Sequence, residues 1–256
     1  MQVVGHRGAR WRALENTVEA LRIAYEDGAD GVEFDVQISA DGEPVLFHDD
    51  DLAPMAGSPG RVADWPWRVL RQLEVTDRQG HRGSIAHLDV ALELLLQRGG
   101  LRNLELKVVG NAGPRLVDRV VRALAPCAVE GWVVSSFDRD ALERFAAVGL
   151  GIEVASLVEP EPCDYLALAG DGPRADAFLD RIRAPLGPTW RAIHPNHGQV
   201  TEARAARWRA ASLSIRPWTV NAPNDWTRLR DAGIDAAITD DPGGLRRFLD
   251  RRSPGV

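Results

Sequence analysis

Two carboxylates, Glu33 and Asp35, sit two residues apart in the apolar run GVEFDV, and a histidine, His48, follows a short turn downstream. On a strand, residues i and i+2 share a face, so Glu33 and Asp35 point the same way. Asp41-Gly42 reads as a two-residue hairpin turn, with Pro44–Phe47 as the returning strand. That register places Asp35 opposite His48, with Cβ atoms about 5 Å apart. A four-residue loop preserves the pairing, whereas a three-residue loop shifts it by one and breaks it. Two carboxylates beside an imidazole suit a hard divalent cation with a proton-transfer group next to it.

The elements that must position these groups follow from the pattern of apolar runs. With the returning hairpin arm set aside, strand-like runs at 2–5, 31–36, 104–108, 132–135, 153–158, 191–194, 214–220 and 236–239 alternate with helical ones. The first helix opens at Asn16 with Glu19 three residues on, a capping pattern. Later helices fall at 88–97, 115–124, 140–148, 173–183, 202–211, 225–231 and 244–251. Such alternation predicts a parallel sheet, and eight units in this length fit a (β/α)8 TIM barrel. One barrel domain is expected over 1–256. The Pro- and Gly-rich stretch 50–86 is read as a small insertion above it, too poor in apolar residues for a core. A doubly wound sheet would want G-x-G-x-x-G after the first strand, and GHRG does not supply it.

In a barrel, chemistry gathers where strands end. His6 and Arg7 follow the first strand, Glu33 and Asp35 lie on the second, and Glu105 and Lys107 on the third. Ser135, Trp218–Asn221 and Thr239-Asp240 end later ones. The second and third strands should be neighbours, which brings Glu105 to Glu33 and Asp35. Unpaired carboxylates in a barrel are costly, so the trio reads as a metal site. Without zinc-type Cys or His spacing, the ion expected is Mg2+ or Ca2+. Three carboxylates against one divalent ion leave one negative charge, while Arg7 and Lys107 bring two positive ones. The surplus suits an anion such as a phosphodiester. Among 31 Lys and Arg residues, Lys107 is the single lysine.

Other candidates read as structural. Gly80-His81-Arg82-Gly83 repeats Gly5-His6-Arg7-Gly8 but follows polar TDRQ, not a strand. His87 sits at a helix start, and His194 and His197 read as loop residues. Trp65, Trp67 and Trp132 read as core, while Trp218 is placed to line a pocket. Ser135-Ser136 lacks a nucleophile elbow. The net charge of −6 disfavours nucleic acid as a partner. No apolar run approaches the ~20 residues of a membrane span, so no stable membrane insertion is expected. MQVVGHRG lacks signal-peptide character, and Cys127 and Cys163 match no metal spacing and read as reduced thiols. A cytoplasmic location is expected.

The chain resembles the glycerophosphodiester phosphodiesterase family over nearly its whole length. The resemblance is carried by HRG at 6–8, ENT at 15–17, GADGVEFDV at 28–36, DGEPVLFHD at 41–49, LELK at 104–107, SSFD at 135–138, WTVN at 218–221 and GIDAAITDDP at 233–242, in that order. It implies a (β/α)8 barrel with a small insertion. It implies a divalent metal on Glu33, Asp35 and Glu105, and His6 with His48 as the acid/base pair. Arg7 and Lys107 would hold the phosphate, with Trp218 in the pocket. The implied reaction is hydrolysis of small glycerophosphodiesters to glycerol 3-phosphate and an alcohol. Leu14, the stretch DDLAPMAGSPG after Asp49, and Ala86-His87-Leu88 depart from the family pattern around the insertion, where substrate identity is set. The alternatives are cleavage of lysophospholipids, which a wide apolar face on the insertion would favour, and a barrel that binds phosphodiesters without turnover.

Overall fold

The computed structural model describes residues 1–159 and 186–251, together with 179, 183 and 184. Cys163 and most of the sequence-predicted helix over 173–183 lie outside that set. The chain begins β1 (Gln2–Gly5), α1 (Val18–Glu26), β2 (Gly31–Ile38) and a hairpin arm, β3 (Pro44–Leu46). An excursion follows: α2 (Ala53–Ala56), α3 (Trp67–Leu70), β4 (Glu74–Thr76), β5 (Arg82–Ser84) and β6 (Ala86–His87). Then come α4 (Leu88–Leu96), β7 (Leu101–Leu106), α5 (Gly113–Leu124), β8 (Trp132–Ser136), α6 (Arg139–Ala147) and β9 (Glu153–Val158). The remainder is β10 (Trp190–Pro195), α7 (Glu202–Ala210), β11 (Ser214–Ile215), α8 (Pro223–Asp231), β12 (Ala236–Thr239) and α9 (Pro242–Asp250).

The main sheet runs β11-β10-β9-β8-β7-β2-β1-β12, with every pairing along that path parallel. Isolated backbone bonds close the circle: Asp235 N–H donates to Ile215 O (3.0 Å) and Ile238 N–H to Pro217 O (3.0 Å). The result is a (β/α)8 barrel. The strand period of two sorts its side chains. Phe34, Val36, Leu104, Leu106 and Val134 join the core shared with the helices, whereas Val4, Leu101, Val133, Ala155, Ala192 and Ile238 pack inside the barrel. Glu33, Asp35 and Glu105 alternate with the outward set, so they face inward.

Four local expectations change. The hairpin has a three-residue loop, Ala40-Asp41-Gly42, because Ser39 N–H donates to Glu43 O (2.9 Å) and Ile38 pairs with Pro44. Asp41 bridges Ser39 Oγ (2.6 Å) and Trp67 N–H (2.9 Å), and Gly42 takes the left-handed conformation at φ +88°. Asp35 therefore lies against Phe47, not His48, with Phe47 N–H donating to Asp35 O at 3.3 Å. The first helix is capped by Thr17, whose Oγ1 accepts from Ala20 N–H, and not by Asn16. The strand expected over 214–220 shrinks to two residues, since Pro217 has no N–H for a ladder. The insertion also has an apolar cluster after all: Leu52, Val62, Leu70, Val75 and Ile85 are buried with Leu14, Val45 and Phe47 from the barrel side. Trp65 and Trp67 pack there only partly buried, while Trp132 is true core.

Candidate active site

Neighbouring strands deliver the carboxylates. Asp35 on β2 is in register with Glu105 on β7, and Glu33 with Asn103. All three carboxylates are buried, and an oxygen from each lies within 4.8 Å of the others. Asn16, in the left-handed region at φ +57°, grips Asp35 twice. Its Nδ2 donates to Asp35 Oδ2 (2.8 Å), and its Oδ1 accepts from Asp35 N–H (3.0 Å).

Arg7 lies beside this trio. Its backbone is also left-handed, at φ +52°, a conformation that costs a non-glycine residue about 1 kcal/mol or more. The turn aims Arg7 N–H at Glu33 Oε2 (2.9 Å), while Nη1 donates to Glu15 Oε1 (2.7 Å) and Nε lies 3.2 Å from Asp35 Oδ2. Arg10 holds the other oxygen of Glu15 at 2.8 Å. Burial works against charge on Asp35, but Arg7, His48, Lys107 and the Asn16 bond hold its pKa down at about 2. Burial and the neighbouring Asp35 push Glu105 up to about 8 and Glu33 well above the usual range.

His6 is buried, and its Nδ1 meets Asp240 Oδ1 at 2.6 Å. Asp240 is held by Asn221, whose Nδ2 donates to Oδ2 (2.7 Å) and whose Oδ1 accepts Asp240 N–H (2.9 Å). Burial, with the charge of Arg7, lowers the pKa of His6 against the opposing pull of Asp240. His48 reaches the site by another route than cross-strand pairing. The chain leaves the ladder after Leu46, and Gln37 Nε2 pins the next turn by donating to Phe47 O (3.1 Å) and Asp49 O (2.9 Å). His48 then contacts Asp49 Oδ1 through Nδ1 (2.8 Å) and Lys107 Nζ through Nε2 (3.0 Å). Both imidazoles thus back Nδ1 with an aspartate, and Nε2 of His48 meets Lys107.

Lys107 Nζ also lies 3.5 Å from Glu105 Oε1 and 5.8 Å from the centre of the Phe137 ring. Burial opposes its charge, but Glu105 and Asp35 outweigh that and raise its pKa. Trp218 stands edge-on to Phe137, at 5.6 Å and 85°, and donates from Nε1 to His194 O at 2.8 Å. His6, Arg7, Glu33, His48, Glu105, Lys107 and Trp218 all line one cavity of about 90 Å3, and Asp35 lies directly beneath. Hollows of about 670 Å3 elsewhere are open surface depressions far from these groups. All eight sequence-predicted residues therefore meet at one place. His81 bonds Asp77 (2.8 Å) in the insertion, and His87 caps α4. His194 is not a loop residue. It is fully buried on β10, and burial together with Arg216 drives its pKa well below the usual range.

Sequence reasoning missed Glu15, Asn16, Asp49, Asn103 and the clamp role of Asp240. The ENT stretch and the strand-end position of Asp240 were the available signals. For Asn103 it was the period-two spacing from Glu105.

The arrangement fits a divalent cation. Glu105 Oε1 is buried with only the 3.5 Å contact to Lys107 Nζ, and two carboxyls resist ionising beside a third that is ionised. Oxygen donors converging from two strands, ringed by cations and two imidazoles, could hold a cation beside an anionic ester. Residues 6–244 match the glycerophosphoryl diester phosphodiesterase family. A glycerophosphodiester phosphodiesterase of Caldanaerobacter subterraneus is 27% identical over 252 residues, 95% of each chain. One from Bacillus altitudinis is 29% identical over 248 residues, 94% of this chain and 95% of that one. A phosphodiesterase of Oleispira antarctica, solved in complex with the product sn-glycerol-3-phosphate, superposes with a TM-score of 0.83 at 26% identity, covering 98% of this chain and 97% of that one. The chain belongs to the glycerophosphoryl diester phosphodiesterase family, and it is a phosphoric diester hydrolase. Among the described residues, no helix is long and apolar enough to cross a membrane.

Proposed function

We propose that this enzyme hydrolyses glycerophosphodiesters to glycerol 3-phosphate and an alcohol, with Glu33, Asp35 and Glu105 holding a divalent cation, Mg2+ or Ca2+. The observation that carries this is the convergence of three buried carboxylates, with an oxygen of each within 4.8 Å of the others. A bound cation supplies positive charge to the phosphoryl oxygens. Arg7 and Lys107 orient the phosphate and offset charge as it develops. One ring enters with a bare Nε2 and takes the proton of the nucleophile there; the other enters protonated on both nitrogens and gives its Nε2 proton to the leaving oxygen. Asp240 and Asp49 hold a proton on Nδ1 of each ring throughout, so neither needs to reorient. Lys107 donating to His48 Nε2 is consistent with that tautomer.

Small diesters suit this cleft better than lysophospholipids. Among the described residues, the exposed large apolar ones, Trp11, Val90, Leu96, Val129 and Val148, all lie outside 50–86, and the large apolar side chains of the insertion are buried or partly buried in its own cluster. The test is a product assay over a panel of glycerophosphodiesters. Chelation should abolish turnover, and Mg2+ or Ca2+ should restore it. Full turnover in excess chelator, with metal shown absent by elemental analysis, removes the cation from the reading. Failure to cleave any member removes the activity.

A further inference from the structure

Asn103 lines the cleft and is accounted for by neither the ion pairs nor the imidazoles. It faces inward from β7, two residues before Glu105 and in register with Glu33. Leu101, on the same face, belongs to the apolar barrel interior below. Asn103 is 1% exposed and lines the cleft together with Leu157, Ile238 and Trp218. Its Nδ2 and its Oδ1 both lack a hydrogen-bond partner. A buried amide with both ends unpaired carries the desolvation penalty of each unmet group. A leucine at this position, like Leu101 one step down the strand face, would carry no such penalty.

The chemistry of the unmet groups narrows the occupant. A cation beside Glu33 and Glu105 would engage Oδ1 and leave the Nδ2 hydrogens bare. A phosphoryl oxygen would engage Nδ2 and leave Oδ1 bare. A hydroxyl both accepts and donates, so hydroxyl groups can satisfy both ends from the cleft. No side chain among the described residues provides this match, since neither end of the Asn103 amide has a hydrogen-bond partner.

We infer that Asn103 is a specificity-determining residue that reads a hydroxyl of the glycerol moiety, donating from Nδ2 and accepting at Oδ1. This rests on the phosphodiester reading above. A site built to pair with a hydroxyl penalises the analogue that lacks it, because its own buried groups are then left unpaired.

The experiment compares a glycerophosphodiester with the corresponding propane-1,2-diol phosphodiester, which lacks only the terminal hydroxyl. Wild type should prefer the hydroxylated substrate by on the order of 10²-fold in kcat/KM. Asn103→Leu should cut that preference to within about threefold. Calorimetric binding of glycerol 3-phosphate and its deoxy analogue should show the same collapse without turnover. If Asn103→Leu does not fold, Asn103→Ala, which adds no volume, carries the comparison. Undiminished discrimination in a folded variant, with the amide meeting only water, overturns this assignment alone. Absence of turnover of both diesters by wild type overturns the phosphodiester reading and this assignment with it.

Discussion

The tetrapeptide Gly-His-Arg-Gly occurs at 5–8 and again at 80–83. In the first copy the chain comes off β1 with His6 N–H on Thr239 O (2.8 Å), and Arg7 turns left-handed. The Arg7 side chain is only 12% exposed and is held by Glu15 and Asp35. Gly8, at φ +85°, lies so close under α1 that a Cβ would stand 2.4 Å from the Ala20 carbonyl carbon. The second copy forms the turn between β4 and β5. Its His81 bonds Asp77 four residues back, and its Arg82 is 72% exposed beside Glu74. A Cβ on Gly80, at φ +87°, would meet nothing within 4 Å. The same four residues thus make half an active site or an ordinary turn, depending on whether a barrel strand feeds them.

The largest expected effect separates the two histidines. His6→Ala should lower kcat by on the order of 10²- to 10⁴-fold, whereas His81→Ala should leave it unchanged. Steady-state kinetics on both purified variants decide. A crippling His81→Ala would mean that the tetrapeptide, not its strand, carries the chemistry.

The glycines come next. Gly8→Ala combines a positive φ with a backbone clash and should cost about 3 kcal/mol or more, lowering Tm by at least about 6 °C. Gly80→Ala meets only the φ penalty, about 1 kcal/mol, and should move Tm by about 2–4 °C. Thermal melts showing equal losses would erase the distinction in packing.

The smallest effect concerns the charges around the first copy, which the second lacks. Glu105 has its pKa raised to about 8, far above an unfolded value of about 4.3. In metal-free protein, the stability it contributes is complete below the unfolded value and is lost as pH rises through about 8. A cation binds the ionised form. The gain in Tm on adding Mg2+ or Ca2+ should therefore grow from about pH 5 to about pH 8. A gain that stays flat across that range argues against Glu105 as a ligand.

Much of this was legible in the sequence because it depends on short-range periodicity. Glu33 and Asp35 face inward by the period of two, and Glu105 joins them because β2 and β7 are neighbours in a parallel sheet. The hairpin register was not legible. Asp-Gly suggested a two-residue turn, but Asp41 spends its carboxylate on Ser39 and on the insertion's Trp67, and the loop takes a third residue. His48 still reached the cleft, because Gln37 fixes the backbone beyond the ladder. Asn16 looked like a helix cap, since its grip on Asp35 is a tertiary contact that no local pattern encodes. The contact of His6 with Asp240, 234 residues away, is of the same kind.

The seam of the barrel has a consequence for motion. β2 and β7 are laddered through six consecutive pairs from Gly31 to Val36, so the wall carrying the three acids is stitched along its length. Between β11 and β12 the circle is fastened by isolated bonds around Pro217, with Val220 N–H on Ile238 O (2.9 Å) as one of the last. Trp218 stands on one side of that seam, and Asp240, with His6 behind it, stands close to the other. Fluctuations begin where backbone pairing is sparsest. The backbone of the mouth is fastened most sparsely on its tryptophan side, whereas the wall that carries the three acids is laddered throughout.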